Sequence, residues 1–233
     1  MQKKVIGILG GMGPLATADL FEKIVLHTAA ASDQEHPRVC IDSNTSIPDR
    51  TAALLHGGAD PTEEMVKSAR RLVSIGAQVI AMPCNTAHNF HAAVAASVDV
   101  PVLHMLALTR DVLLQEGITC AALLATDGTI ETGIYQRTFE NSGVTLITPE
   151  GDDQRAVMDM IYKGVKAGVS NYDTANVRAA IERLLTRGAE TLILGCTELP
   201  LAVKLYSLDY PCTDPTLALA RGAIEAAGYT CKE

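Results

Sequence analysis

Short apolar runs alternate with longer amphipathic stretches along the whole chain. Residues 5–9 form an apolar run that stops at Gly10-Gly11-Met12-Gly13-Pro14. Short apolar runs bounded by turn residues read as buried strands. The same signal recurs over 39–42, 78–82, 120–124, 144–147 and 191–194, with a short extended piece at 101–103. Between them, apolar residues fall at helical spacing over 15–30, 63–75, 88–96, 131–141, 155–167, 174–187 and 216–227. Strands that alternate with amphipathic helices predict an α/β fold built on parallel sheet.

One segment recurs. Arg71-Leu72, Gly76-Ala77 and Cys84 reappear at equal spacing as Arg183-Leu184, Gly188-Ala189 and Cys196. The shared pattern is helix, Gly-Ala, apolar strand, small residue, cysteine. The run from Ile8 to Gly13 has a looser echo in Leu123 to Gly128. This predicts two similar parallel-sheet lobes related by a pseudo-twofold axis, facing each other across a cleft. Lobe one takes 1–107 plus 215–233, and lobe two takes 108–214.

Composition narrows the function. The chain has 233 residues, 48% hydrophobic and 20% charged, enough for a sizeable core, with no Trp and three Phe. A net charge of −8 argues against nucleic acid as a partner. It also means that an anionic substrate would need a local cation. No run of 18 apolar residues suggests a membrane span, and no leader pattern is evident, so a cytoplasmic protein is expected. The six cysteines include no C-x-x-C pair and no zinc-type spacing with histidine, so reduced thiols and no metal are expected.

Two of those thiols sit where chemistry is expected. Cys84 and Cys196 each follow a strand and precede a helix, the edge where open α/β sheets bind ligands. A helix amino end should lower a thiol's pKa, although a buried cysteine can equally be a small core residue. Two thiols facing one α-carbon could remove a proton on one side and return it on the other. That inverts a stereocentre with no electron-sink cofactor. A free thiol pKa near 8.5 keeps both protonation states accessible.

Four motifs make this specific: Ile8-Leu9-Gly10-Gly11-Met12-Gly13-Pro14, Asp49-Arg50-Thr51, Pro83-Cys84-Asn85-Thr86-Ala87-His88 and Leu194-Gly195-Cys196-Thr197-Glu198-Leu199. In this order they resemble the aspartate/glutamate racemase superfamily over most of the chain. Glu198, where glutamate racemases usually carry His, is closer to the aspartate racemase branch. The resemblance implies a cofactor-independent, two-base racemase of a small acidic amino acid, working as a homodimer. Cys84 would serve the D-enantiomer and Cys196 the L-enantiomer. It implies Arg50 for the side-chain carboxylate and Lys166, or alternatively Lys163, as a second cation. Met12, Asn85, Thr86 and Thr197 would complete the substrate contacts. Thr126 and Thr129 are further candidates, Thr129 otherwise an ordinary helix N-cap.

Other readings stay open. Gly11-x-Gly13-x-x-Ala16 imitates a dinucleotide fingerprint but lacks a following acidic residue, and its glycines would instead let backbone approach the substrate. His88 could tune Cys84 or be structural. Asp152-Asp153 and Glu63-Glu64 read as helix-start or solvated charge. A maleate-isomerase-like or hydantoin-racemase-like enzyme, or a two-lobed binding protein without turnover, are the alternative functions.

Overall fold

A computed structural model describes residues 3–232. The chain divides into two compact units, one of residues 1–108 and 216–233, the other of 109–215.

In the first unit β1 (Ile6–Gly10) is central and fully buried, which accounts for its unbroken apolar sequence. Next come α1 (Pro14–His27), β2 (Val39–Ser43), α2 (Arg50–Leu55), α3 (Thr62–Ser74) and β3 (Val79–Ala81). The strands are parallel in the order β2-β1-β3, with Ile6 beside both Val39 and Val79. A parallel bridge from Ile80 to Val102 continues the sheet by one more position. A 3₁₀ turn (Thr86–Phe90) leads into α4 (His91–Ala96), and α5 (Met105–Gln115) carries the chain into the second unit's residues.

The second unit repeats the plan. It comprises β4 (Cys120–Leu124), α6 (Asp127–Glu131), α7 (Ile134–Phe139), β5 (Thr145–Ile147), α8 (Asp152–Asp159), a π-helical segment (Met160–Val165), α9 (Ala175–Thr186), β6 (Thr191–Leu194), α10 (Leu199–Leu205) and β7 (Cys212–Thr213). Its parallel order is β5-β4-β6-β7. Both sheets thus place their second strand, first strand, third strand and a short fourth position side by side. The final helix, α11 (Pro215–Ala226), returns to the first unit.

The repeated Arg-Leu…Gly-Ala signature has a backbone cause. α3 and α9 end identically, with Gly76 and Gly188 at φ +103° and +101°. Ala77 N–H bonds Leu72 O at 3.0 Å and Gly76 N–H bonds Val73 O; Ala189 and Gly188 do the same to Leu184 and Leu185. These are Schellman C-caps, which favour glycine at the left-handed position and turn the chain into the next strand. Apart from the adjoining residues, no atom of the described residues lies within 4 Å of a Cβ built on either glycine, so any penalty there is conformational rather than steric. Gly76→Ala and Gly188→Ala are each expected to lower stability by ~1–2 kcal/mol, read as a fall in urea midpoint with an unchanged slope.

Several expectations change. The helix over 88–96 divides into the 3₁₀ turn and α4. That over 131–141 begins earlier and breaks at Gly133, φ +62°, into α6 and α7. That over 155–167 becomes α8 followed by a π-helical turn. Thr129 is not an N-cap: α6 begins after Thr126, and Thr129 lies inside the helix. The glycines of the first motif make room for the chain itself. A Cβ at Gly10 would strike Thr17, and one at Gly11 would lie 2.3 Å from the Asn44 carbonyl carbon.

Candidate active site

In the first unit the site is assembled at the carboxyl ends of β1 and β3. Cys84 lies three residues beyond β3 and is buried, its N–H bonded to Met82 O at 2.9 Å. Met12, just past β1, and Ile47 share an apolar cluster with Cys84. Arg50 opens α2, whose N-cap Asp49 accepts from the Ala52 N–H at 2.7 Å. The Arg50 guanidinium folds back over this corner, donating to Pro48 O at 2.9 Å, Ile47 O at 3.3 Å and Met12 O at 3.3 Å. Its buried Nε–H finds no acceptor among the described residues. Met12, Arg50 and Cys84 therefore share one corner, and the buried Asn85 and Thr86 begin the turn that follows the thiol.

In the second unit Cys196 lies two residues beyond β6 and is also buried. Its thiol donates to Glu198 Oε2 at 2.9 Å, and Lys166 Nζ donates to Glu198 Oε1 at 2.6 Å. Thr197 Oγ1 donates weakly to the same carboxylate at 3.4 Å. Lys166 follows the π-helical turn, whose wide bond runs from its own N–H to Ile161 O at 3.0 Å. Gly164 lets that turn pack closely, since a Cβ there would lie 2.8 Å from the Tyr206 hydroxyl oxygen. Lys163 points elsewhere: it is exposed and paired with Asp159 at 2.8 Å. Thr126 and Thr129 lie past the end of β4, the strand beside β6, with their hydroxyls 3.3 Å apart.

The electrostatics of this half are coupled. Burial and the Glu198 charge push the Cys196 thiol well above its ordinary pKa. This corrects the expectation that a helix start would lower it: only a short α10 follows, and a carboxylate faces the sulfur. Burial alone would raise Glu198, but the Lys166 charge and the hydrogen bonds from Cys196 and Lys166 outweigh it and hold the carboxyl low. Burial works against the Lys166 ammonium, and Glu198 more than restores it. Near neutral pH the row is therefore ammonium, carboxylate, thiol, with the thiol donating its hydrogen bond to the carboxylate.

Sequence reasoning saw Glu198 only as a branch marker. It also missed Tyr135, fully buried, whose phenol is pushed up by burial and by the charges of Asp214 and Cys196. The pairing of Glu198 with Lys166 had no sequence signal, because the two are 32 residues apart and meet only through the fold.

Each parallel α/β unit thus carries a buried cysteine just beyond its third strand, and the family that nearly the whole chain matches makes it an amino-acid racemase of the isomerase class. Residues 9–223 match the Asp/Glu/hydantoin racemase family, and the chain belongs to it. An aspartate racemase structure from Picrophilus torridus is 34% identical, covering 98% of this chain and 96% of its own, with a TM-score of 0.83. An aspartate racemase homologue from Pyrococcus horikoshii OT3 is 25% identical, with 97% and 99% covered and a TM-score of 0.78. The broad specificity amino-acid racemase RacX of Bacillus subtilis (strain 168) is 24% identical, over 94% of this chain and 96% of that protein. Among the described residues no helix is long and apolar enough to cross a membrane.

Proposed function

We propose that this chain racemises a small acidic amino acid, aspartate in preference to glutamate, by a two-base mechanism without pyridoxal phosphate. The observation that carries the reading is the matched position of Cys84 and Cys196, each just beyond the third strand of a sheet of the same order. One thiolate takes the α-proton; an S–H bond forms and the Cα–H electron pair passes into the substrate's carboxylate system as an enediolate. The opposite thiol then gives its proton to the other face and becomes the thiolate. The two cysteines exchange protonation states once per turnover, so no redox partner is needed.

Arg50 is the proposed clamp for the side-chain carboxylate, because a guanidinium offers a bidentate fork and its Nε–H has no acceptor among the described residues. Asn85, Thr86 and Thr197 would contact the α-carboxylate, with Met12 against the substrate. Thr126 and Thr129 would line the second half, and Lys166 would act beside Cys196. Arg50→Ala is expected to weaken aspartate binding by about 10- to 100-fold in KM. Lys204→Ala, on α10 and outside this set, should leave KM within about twofold. Equal kinetics in the two variants would remove Arg50 from the pocket.

The deciding test is chiral analysis of aspartate, glutamate and a panel of neutral and basic amino acids, each incubated with pure protein with and without pyridoxal phosphate. Aspartate racemised in its absence is the expected result. Inactivity on both acids, or activity only with pyridoxal phosphate, would overturn the reading. Activity spread evenly over the panel would instead place the enzyme nearer the RacX type. We further propose a homodimer in the cytoplasm, which light scattering and cell fractionation test.

A further inference from the structure

We infer that His88 is the positioning residue of Cys84, a neutral imidazole brace that fixes the first thiol's backbone to the start of α5; as a role in catalysis this rests on the racemase reading above. His88 is a buried residue of the 3₁₀ turn that follows Cys84. Its Nδ1 lies 2.8 Å from Cys84 O, and its Nε2 lies 3.0 Å from the Met105 backbone nitrogen. The partners dictate the tautomer. Met105 offers only an N–H, so Nε2 accepts; Cys84 offers a carbonyl, so Nδ1 carries the proton and donates. One ring thus makes two bonds that only the neutral Nδ1–H form can make together. Burial, with the neighbouring histidines, pushes its pKa down to about 3, so that form persists at working pH.

The bond to Cys84 replaces one the backbone does not make. In an α-helix the carbonyl of residue 84 would accept from the N–H of residue 88. Here that N–H bonds Asn85 O at 3.1 Å in the tighter 3₁₀ pattern, and the side chain of the same residue closes onto Cys84 O instead. With its N–H held by Met82 O as well, both backbone polar groups of Cys84 are occupied. This fixes the direction in which the Cα–Cβ bond leaves the chain, leaving χ1 as the freedom of the sulfur.

Two further imidazoles hold the brace. His91 stacks on His88 at 5.6 Å with 12° between planes, and His104 meets it edge-on at 5.0 Å. His91 Nε2 is 2.9 Å from Val102 O, which makes that nitrogen the donor, and the Ala107 N–H donates to His104 Nδ1 at 3.2 Å. Each ring is tied to a different backbone group between residues 102 and 107, and the three pack against one another. Among the described residues no three His, Cys, Asp or Glu side chains are arranged to hold a metal ion. A hydrogen-bonded frame for the strand-to-helix turn accounts for the cluster.

Two substitutions separate the two bonds. In His88→Asn the amide nitrogen falls near the Nδ1 position and can still donate to Cys84 O, while the link to Met105 is lost. In His88→Gln the terminal amide reaches toward the Nε2 position and can accept from Met105, while the link to Cys84 is lost. The first readout requires no turnover: the rate of iodoacetamide labelling at Cys84 divided by that at Cys196 in the same molecule, followed by peptide mass spectrometry. His88→Gln should change this ratio by about tenfold, and His88→Asn should return it to within about threefold of the parent. The second is racemisation. His88→Gln should lower kcat by about 10- to 100-fold with KM nearly unchanged, as expected when a reacting group is displaced, and His88→Asn should recover most of it. An unchanged labelling ratio in His88→Gln, or equal defects in the two variants, would overturn the brace. If the parent protein shows no turnover, the racemase reading fails while the labelling ratio still decides whether His88 holds Cys84.

Discussion

Cys84→Ser and Cys196→Ser are each expected to reduce racemisation by about 10³-fold or more, because two groups that act in one inversion lose function together. A serine hydroxyl is a far weaker acid than a thiol and cannot alternate between the two forms near neutral pH. The residual chemistry distinguishes the residues. Cys84→Ser retains the Cys196 thiol on the face proposed for the L-enantiomer, so L-aspartate should still exchange its α-hydrogen in deuterated water. Cys196→Ser should do so with D-aspartate. Proton NMR follows the exchange, and chiral chromatography follows inversion. Near-normal racemisation in either variant would make that cysteine a packing residue and end the two-base reading. Both thiols are buried, so the parallel substitution to Ala, which shortens rather than repolarises the side chain, separates chemistry from packing.

Glu198→Gln is expected to raise the labelling rate of Cys196 near neutral pH while lowering racemisation by about 10²-fold. The opposite signs follow from the geometry. The carboxylate 2.9 Å from the thiol opposes a second negative charge, so its removal lets the thiolate form at lower pH, with Lys166 released to support it. The same change removes the carboxylate that orients the thiol through its hydrogen bond and disturbs the balance of thiol and thiolate that both half-reactions need. A variant that labels more slowly, or that racemises as the parent does, would remove Glu198 from this role. Stability should respond as well. The Glu198 carboxyl is held below its ordinary pKa, so its contribution is present above pH ~4.5 and is lost as pH falls through the depressed value. Lys166 is raised, so its contribution is present below pH ~10.5 and is lost above it. The raised Cys196 thiol behaves likewise, with stability declining as pH climbs above ~9. Between these limits Glu198→Gln should cost about 1–2 kcal/mol, less than a fully buried pair because solvent reaches the ammonium. Urea titrations at pH 4, 7 and 10 read both the sign and the window.

These two variants fall on different sides of what can be read from the chain alone. The paired cysteines were legible because each ends a short apolar strand, and strands announce themselves by local composition. The Gly76-Ala77 and Gly188-Ala189 repeats were legible for the same local reason, since a left-handed cap favours glycine wherever the helix occurs. Local signals failed where elements are short or mixed. α2 and α10 have six and seven residues, too few for a period to emerge. α5 has apolar residues scattered round its circumference, and β7 has only two residues.

The sequence by itself determined the alternating α/β order and the duplicated strand-cysteine unit, while Arg50 entered as a candidate clamp only through the family resemblance. The first two depend on residues close together in the chain. Only the tertiary structure decided that Lys166, not Lys163, meets Glu198, that Glu198 faces the Cys196 thiol and raises it, and that His88 ties Cys84 to Met105. Those contacts bring together side chains from separate elements, and a buried thiol's proton affinity is set by the charges and solvent the fold puts beside it. No periodicity along the chain encodes that distance.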